Sequence, residues 1–231
     1  MLFFNNVSIA TFPGLLVEDI HVSAIPLNPI VRERPVAFGA EYERMAGGVR
    51  TVTVTFAVLT MDRTKRSLLL MDVIKWARSV EVGSLQLSDH PGMHLMATLT
   101  EAPSPSTRQW WEDQLKLVFT AFEPFWISDT EKRTACGDLM TISGSAPPQM
   151  KIVHTYASQA SNQSWSDGEN TITLSTVPAG QLTIDLDKQL IDVDGVSVMQ
   201  YFTFGSRFIK PHINHMTITG PGEVRWRERW E

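Results

Sequence analysis

Two histidines in the sequence have the spacing of a zinc-binding pair. His90 and His94 lie four residues apart, as two ligands do on one face of a helix. Pro91 and Gly92 separate them, and a proline in this position breaks a helix. The two imidazoles therefore cannot share a helical face, and the sequence predicts no zinc site here.

A group of aspartates in the second half suggests a calcium loop. The group consists of Asp185, Asp187, Asp192 and Asp194. An EF-hand loop needs glycine at its sixth position and glutamate at its twelfth. Counted from Asp185, these positions hold Leu190 and Val196. We therefore interpret the aspartates as turn and solvent-facing residues, and we predict neither a metal ion nor another cofactor.

No local pattern in the sequence is typical of an enzyme. Cys136 is the only cysteine, so the chain cannot form an intramolecular disulfide, which is consistent with assembly in a reducing cytosol. No histidine or carboxylate accompanies it in the usual nucleophile signatures. The sequence also lacks the serine-elbow, zinc-protease and phosphate-loop motifs. We predict no catalytic residue; a hydrolase whose residues meet only in the folded chain is the alternative.

The seven tryptophans raise the question of sugar binding, because exposed aromatic rings stack on sugars. Three of them, Trp76, Trp111 and Trp226, fit apolar stripes of predicted elements and are expected in the core. The other four, Trp110, Trp126, Trp165 and Trp230, fit either a core or a protein interface, where large aromatic residues are enriched. A sugar-binding role stays open as an alternative.

Length and charge limit the classes of partner. The 231 residues suit one large domain or two ordinary ones, and the formal net charge is −5. Lysine and arginine number 13 against 15 acidic residues up to Ala135, and 7 against 10 after it. Since neither half is basic, nucleic-acid binding is not expected. No stretch approaches the roughly 20 apolar residues of a membrane span, so membrane insertion is not expected either.

The first half combines β-strands with one helix. Residues Arg50–Val58 alternate valine or phenylalanine with threonine, which predicts a strand with one buried face. An apolar stripe at helical spacing over Leu68–Arg78 predicts an amphipathic helix capped by Asp62 or Thr64. Further strands are predicted at Leu85–Leu87, Met93–Leu99 and Leu115–Ala121.

The sequence pattern of the second half predicts β-strands and no helix. Composition changes between Asp129 and Pro148, where a charged segment is followed by the turn-rich Gly144–Pro148. Beyond it, short alternating strands and turns such as Asp194-Gly195 predict an antiparallel β-sandwich, with a polar loop over Ser158–Glu169. The expected fold is mainly β, with an α+β domain over residues 1–135 and a sandwich over 136–231.

The order of these features resembles one known family. The strand ending in Phe119-Thr-Ala-Phe-Glu-Pro-Phe125, together with the strands and helix before it, is similar to the N-terminal domain of siphophage distal tail (Dit) proteins. Gly180-Gln-Leu-Thr-Ile-Asp185, the turn Asp192-Val-Asp-Gly195 and the closing tryptophan-bearing strand resemble that family's galectin-like sandwich. The resemblance extends from about Asn5 to Trp230 and depends on the fixed order of the motifs.

The resemblance implies a structural role in a virion tail assembled in the host cytoplasm. Distal tail proteins form a hexameric ring through the N-terminal domain, between the tail-tube protein and the tail-tip or baseplate hub protein. We expect the loop Glu41–Gly48 to contact a neighbouring copy. Gly47 and Gly48 can bend the chain, and Tyr42 and Met45 can bury their side chains against a neighbour.

Two alternatives accompany this interpretation. A carbohydrate-binding module is suggested by the galectin-like second half, in which His212-Ile-Asn214 begins like the sugar-binding phrase of galectins. Met216 then stands where that phrase has arginine, and Arg229 stands where the later galectin phrase has glutamate. A tail-tube component would share a strand-rich, ring-forming domain, but the second, helix-free half favours the distal tail protein.

Overall fold

A computed structural model describes residues 1–33, 40–60, 62–102 and 114–231, with side chains omitted for residues 27–47 and 114. It divides the chain into two compact units, Met1–Trp126 and Ile127–Glu231, called here the N-terminal and C-terminal units. The sequence prediction divided the chain at residue 135. Strand β10 (Trp126–Ser128) spans the division between the units.

The described part of the N-terminal unit contains antiparallel strands and one α-helix. Its elements are β1 (Leu2–Phe4), β2 (Val7–Ser8), a 3-10 turn (Ile9–Thr11), β3 (Leu15–Val22), β4 (Leu27–Glu33), β5 (Ala40–Gly47), β6 (Arg50–Val58), α1 (Arg63–Ala77), β7 (Gly83–Leu87), β8 (Met93–Glu101) and β9 (Gln114–Ala121). Seven strands pair in the order β3-β6-β9-β8-β7-β1-β2. Strands β4 and β5 form a separate two-stranded sheet.

Strand β6 and helix α1 confirm the two strongest sequence patterns. Every second residue of β6 is buried, beginning with Arg50, as the valine–threonine alternation predicts. Asp62 caps α1, because its Oδ1 accepts hydrogen bonds from the Thr64 and Lys65 amides at 2.9 and 3.2 Å. The rings of Trp76 in α1 and Phe4 in β1 are nearly perpendicular, with centroids 6.0 Å apart, so the helix packs on the sheet.

The C-terminal unit, every residue of which is described, contains strands and one 3-10 turn but no α-helix. The strands are β11 (Lys132–Ala135), β12 (Met140–Ile142), β13 (Ala146–Tyr156), β14 (Ala160–Ser166), β15 (Thr171–Val177), β16 (Gly180–Asp185), β17 (Leu190–Val193), β18 (Val196–Ser197), β19 (Asn214–Met216) and β20 (Glu223–Trp230). A six-stranded sheet has the order β18-β17-β16-β13-β20-β11, and β12-β19 and β14-β15 pair separately. All three sheets contribute side chains to one core, which confirms a mainly β fold.

Two polar segments of this unit differ from their predictions. The turn-rich Gly144–Pro148 contains the start of β13, where the register against β20 shifts between Ala146 and Gln149. The shift lies at Pro147-Pro148, which lack the amide donors of a regular ladder. The polar loop predicted over Ser158–Glu169 contains β14, whose only buried residue is Trp165. A strand with one buried residue has no apolar alternation to detect.

Two charged residues near the C-terminus are buried. Arg229 is 7% exposed, and its two terminal nitrogens each donate to a carboxylate oxygen of Asp187 at 2.9 Å. Burial lowers the pKa of Arg229 to about 10, so the guanidinium stays charged at neutral pH. Glu228 accepts hydrogen bonds from the Lys132 ammonium at 2.7 Å and from the Ser143 amide at 3.0 Å. These contacts attach β11 and the segment after β12 to β20.

We expect Glu228→Gln to remove part of the acid sensitivity of the C-terminal unit. Burial raises the pKa of the Glu228 carboxyl, but the bonds from Lys132 and Ser143 outweigh burial and leave this pKa below its ordinary value. The carboxylate therefore stabilises the fold above the unfolded-state pKa, and this stabilisation disappears as pH falls through the lower folded-state pKa. At neutral pH the variant should lose about 2 kcal/mol of unfolding free energy, and less in acid.

Urea unfolding of both proteins at about pH 7 and about pH 3 measures the effect. Glu169→Gln is the control, because Glu169 is an exposed glutamate of the same unit. An equal loss at both pH values would contradict the assigned role of the Glu228 carboxylate.

We also expect limited proteolysis to release two folded fragments. Asp129, Thr130 and Glu131 are exposed and lie between β10 and β11, so a glutamate-specific protease should cut after Glu131. Mass spectrometry identifies the cut site, and circular dichroism of the fragments tests whether each unit keeps its β-structure. Faster cleavage inside β6 or β20 than at Glu131 would contradict two separate units.

Candidate assembly surface

The sheet formed by β4 and β5, called here the ribbon, is the most unusual element of the N-terminal unit. Among the described strands, neither β4 nor β5 pairs with a third strand. A two-stranded ribbon alone is at best marginally stable in water. Its two outer edges also carry backbone groups without a strand partner, which favour association with another surface.

The predicted contact residues lie on the ribbon rather than in a loop. Tyr42, Met45 and Gly47 belong to β5, and Gly48 follows it directly. Sequence reasoning assigned Glu41–Gly48 to a loop because Gly47 and Gly48 can bend the chain. The structure instead places most of it in β5, where the register shifts between Ile30 and Val31 and leaves one extra residue, Glu43, as a β-bulge.

This β-bulge determines which residues share a face. Tyr42 and Met45 are three positions apart, so a regular strand would place them on opposite faces. In the ribbon Tyr42 pairs with Val31 and Met45 pairs with Pro29. Since Val31 and Pro29 are two positions apart on β4, Tyr42 and Met45 occupy the same face.

The register divides the ribbon into an apolar and a polar face. The apolar face comprises the positions of Leu27, Pro29, Val31, Ala40, Tyr42, Met45 and Gly47, with Glu33 at its far end. The polar face comprises the positions of Asn28, Ile30, Arg32, Glu41, Arg44 and Ala46. The ribbon is therefore amphipathic, and its apolar face is the candidate contact surface.

Gly48 closes the base of the ribbon. Its amide donates to the Pro26 carbonyl at 2.7 Å. A Cβ atom at this position would overlap the Cγ atom of the Pro26 ring, which cannot turn away. Gly48 therefore joins the two chain segments at the start of the ribbon, where their close approach leaves no space for a Cβ atom.

The residues considered for metal binding have structural partners. His90 stacks on Trp126, with ring centroids 4.1 Å apart. Asp185 Oδ1 accepts from the amides of Asp187 and Lys188, as an aspartate in a turn does. Within the described ranges, no three histidine, cysteine, aspartate or glutamate side chains are arranged to hold a metal ion. The described helix is also too short and too polar to cross a membrane.

The remaining chemical candidates are buried or half-buried wherever the structure describes them. Burial, with a smaller contribution from Glu223, raises the pKa of Cys136 to about 11, so the thiol is a poor nucleophile at neutral pH. Four tryptophans, Trp76, Trp126, Trp165 and Trp226, are at most 7% exposed. Trp230 is half-buried, whereas Trp110 and Trp111 lie outside the described residues. None of the five described tryptophans offers a fully open ring to a sugar.

Comparison with solved structures identifies the fold. The chain is similar to the crystal structure of the Dit protein of phage SPP1, described as a paradigm of the hub adsorption apparatus in phages that infect Gram-positive bacteria. The TM-score is 0.77 at 14% identity, covering 100% of this chain and 98% of that one. Chains of the phage P2 baseplate in its activated conformation, with calcium and with strontium, give TM-scores of 0.55 and 0.52 at 8% and 7% identity. Each covers 96% of this chain and 92% of the other.

The sequence alone gives no such match, since neither a family model nor a curated protein matches it. The structural similarity spans both units, and the fold is that of a phage distal tail protein.

Proposed function

We propose that this chain is a structural protein of a siphophage tail that forms a hexameric ring at the distal end of the tail tube. One face of the ring contacts the tail-tube protein and the other the tail-tip or baseplate hub protein. The observation that carries the proposal is a fold shared with the Dit protein along the whole chain. A tail-tube component would need only a ring-forming domain, so the shared C-terminal unit favours the distal position.

The ribbon supplies a physical reason for association. A closed ring uses a heterologous interface, in which one surface of each copy binds a different surface of the next. The ribbon supplies one such surface, because its apolar positions share one face and no third described strand pairs with its edges. Six identical contacts then close the ring, and the ring positions six C-terminal units around one opening.

The mass of the purified full-length protein tests ring formation. We expect native mass spectrometry to give a species of six times the 25.9 kDa chain mass, and electron microscopy to show particles with six-fold symmetry and a central opening. A stable dimer, or a ring of another symmetry, would contradict the proposal. Salt should weaken the hexamer little, because its contact surface is mainly apolar.

A carbohydrate-binding role for the C-terminal unit has less support. Trp165 and Trp226, the two most buried tryptophans of this unit, cannot stack on a sugar without unfolding. The His212 imidazole Nε2 lies 3.1 Å from the His215 carbonyl oxygen, so part of its hydrogen-bonding capacity is already used within the unit. A glycan array with the full-length protein distinguishes this role from a purely structural one.

A further inference from the structure

Helix α1 carries apolar side chains on its outer surface. Leu68 and Met71 are each 57% exposed and lie three residues apart, on one face of the helix. This departs from a simple amphipathic helix, in which only the face toward the sheet is apolar. The exposed face of α1 is therefore suited to burial against another surface.

A groove runs beside this face. Its volume is about 750 Å³, and its apolar lining comes from Phe12, Pro13, Leu68, Leu69 and Trp76. Lys65, Asp72 and Lys75 also line it. Leu59, which is 62% exposed, adjoins the groove, because its amide donates to the carbonyl of Gly14, the residue after Pro13. We call this surface the α1 groove.

We propose that the α1 groove of one copy binds the apolar face of the ribbon of the next copy. This inference rests on the proposed ring and identifies the second half of its interface. A heterologous ring requires two different complementary surfaces on every copy. The N-terminal unit offers a ribbon whose apolar positions share one face and, beside exposed residues of α1, an apolar groove, which are two different surfaces that can cover each other.

Length and charge agree with this pairing. The 15 residues of α1 span about 22 Å at 1.5 Å per residue, and the seven residues of β4 span about 23 Å at 3.3 Å per residue. Lys65 and Lys75 are about 15 Å apart along the helix, so one lysine lies toward each end of the groove. The apolar face of the ribbon ends in Glu33, which can pair with a lysine at the rim.

Cysteine cross-linking of the full-length protein tests the pairing. In a Cys136→Ser background, Met45→Cys and Leu68→Cys in the same chain should give disulfide-linked species up to the hexamer after mild oxidation. Mixing the two single variants, followed by exchange of subunits, should give linked dimers, because each disulfide joins two copies. Residue 45 of one copy must lie close to residue 68 of the next, since a disulfide needs Cα atoms within about 7 Å.

The control is a second pair of cysteines, of which the ribbon member lies on the polar face. Arg44→Cys adjoins Met45 but belongs to the other face of the ribbon, so with Leu68→Cys it should cross-link at least tenfold less. Equal cross-linking of both pairs, or a hexamer without cross-links, would overturn this inference while leaving the proposed ring intact. A disulfide within one chain would also overturn it, because the ribbon would then cover its own helix. A protein that stays monomeric would overturn both the inference and the ring.

Discussion

Replacing Tyr42 and Met45 with aspartate is expected to convert the hexamer into monomers that keep their fold. Both positions lie on the apolar face of the ribbon, so each new carboxylate would lose its water when the face is covered. Each buried carboxylate costs about 2 to 3 kcal/mol. Together, the two carboxylates weaken the affinity between neighbouring copies by about a thousandfold or more. Because a ring opens when one kind of contact fails, the whole assembly should dissociate.

The single variants Met45→Asp and Ala46→Asp provide the matched comparison. They introduce the same charge at adjacent positions, which the regular alternation of the strand places on opposite faces. Native mass spectrometry should show dissociation for Met45→Asp and an intact hexamer for Ala46→Asp, while circular dichroism shows the same β-content for both. Equal effects of the two substitutions would mean that the apolar face is not the contact surface.

Trp165→Ala is expected to lower the unfolding free energy of the C-terminal unit by about 3 to 5 kcal/mol. This is a large part of the total unfolding free energy of a typical domain, which is about 5 to 15 kcal/mol. The indole is completely buried, and its Nε1 donates to the Pro221 carbonyl at 2.8 Å. A Cβ atom at Gly220 would overlap both this ring and the carbonyl oxygen of Ser164, so the backbone at Gly220 packs directly against the indole. Truncation leaves a cavity and removes the stronger of two donors to the Pro221 carbonyl, because the remaining donor is the Cys136 thiol at 3.7 Å.

Phe204→Ala is the control, because Phe204 is a fully exposed aromatic residue of the same unit. Its substitution should change the unfolding free energy by less than about 0.5 kcal/mol. Urea unfolding followed by circular dichroism measures both variants. Similar losses for the two would contradict a packed core around Trp165.

The sequence predicted elements whose pattern is strong and local. The alternation in β6 and the stripe of α1 with its Asp62 cap are visible in consecutive residues, because one buried face imposes a period of 2 or 3.6. The mainly β fold followed from these elements and from the turns of the second half. The family resemblance added the order of the strands, which agrees with the fold found by structural comparison.

Features that depend on distant partners were not predictable. The single apolar residue Trp165 does not reveal β14, whose pairing with β15 is set by the folded chain. Arg229 fits the polar side of an alternating strand, yet Asp187, more than forty residues earlier, allows its burial. The extra residue Glu43 reverses the face of every residue on one side of it, so the candidate contact surface could be identified only from the register.

Imaging of intact tails tests the central claim most directly. Tails whose copy of this protein carries a small label at its C-terminus can be examined by electron microscopy, with averaging along the tube axis. The proposed function predicts six labels in a ring at the end of the tube farthest from the capsid. Labels repeated along the tube, placed elsewhere in the virion, or arranged with another symmetry would contradict a distal hexameric ring.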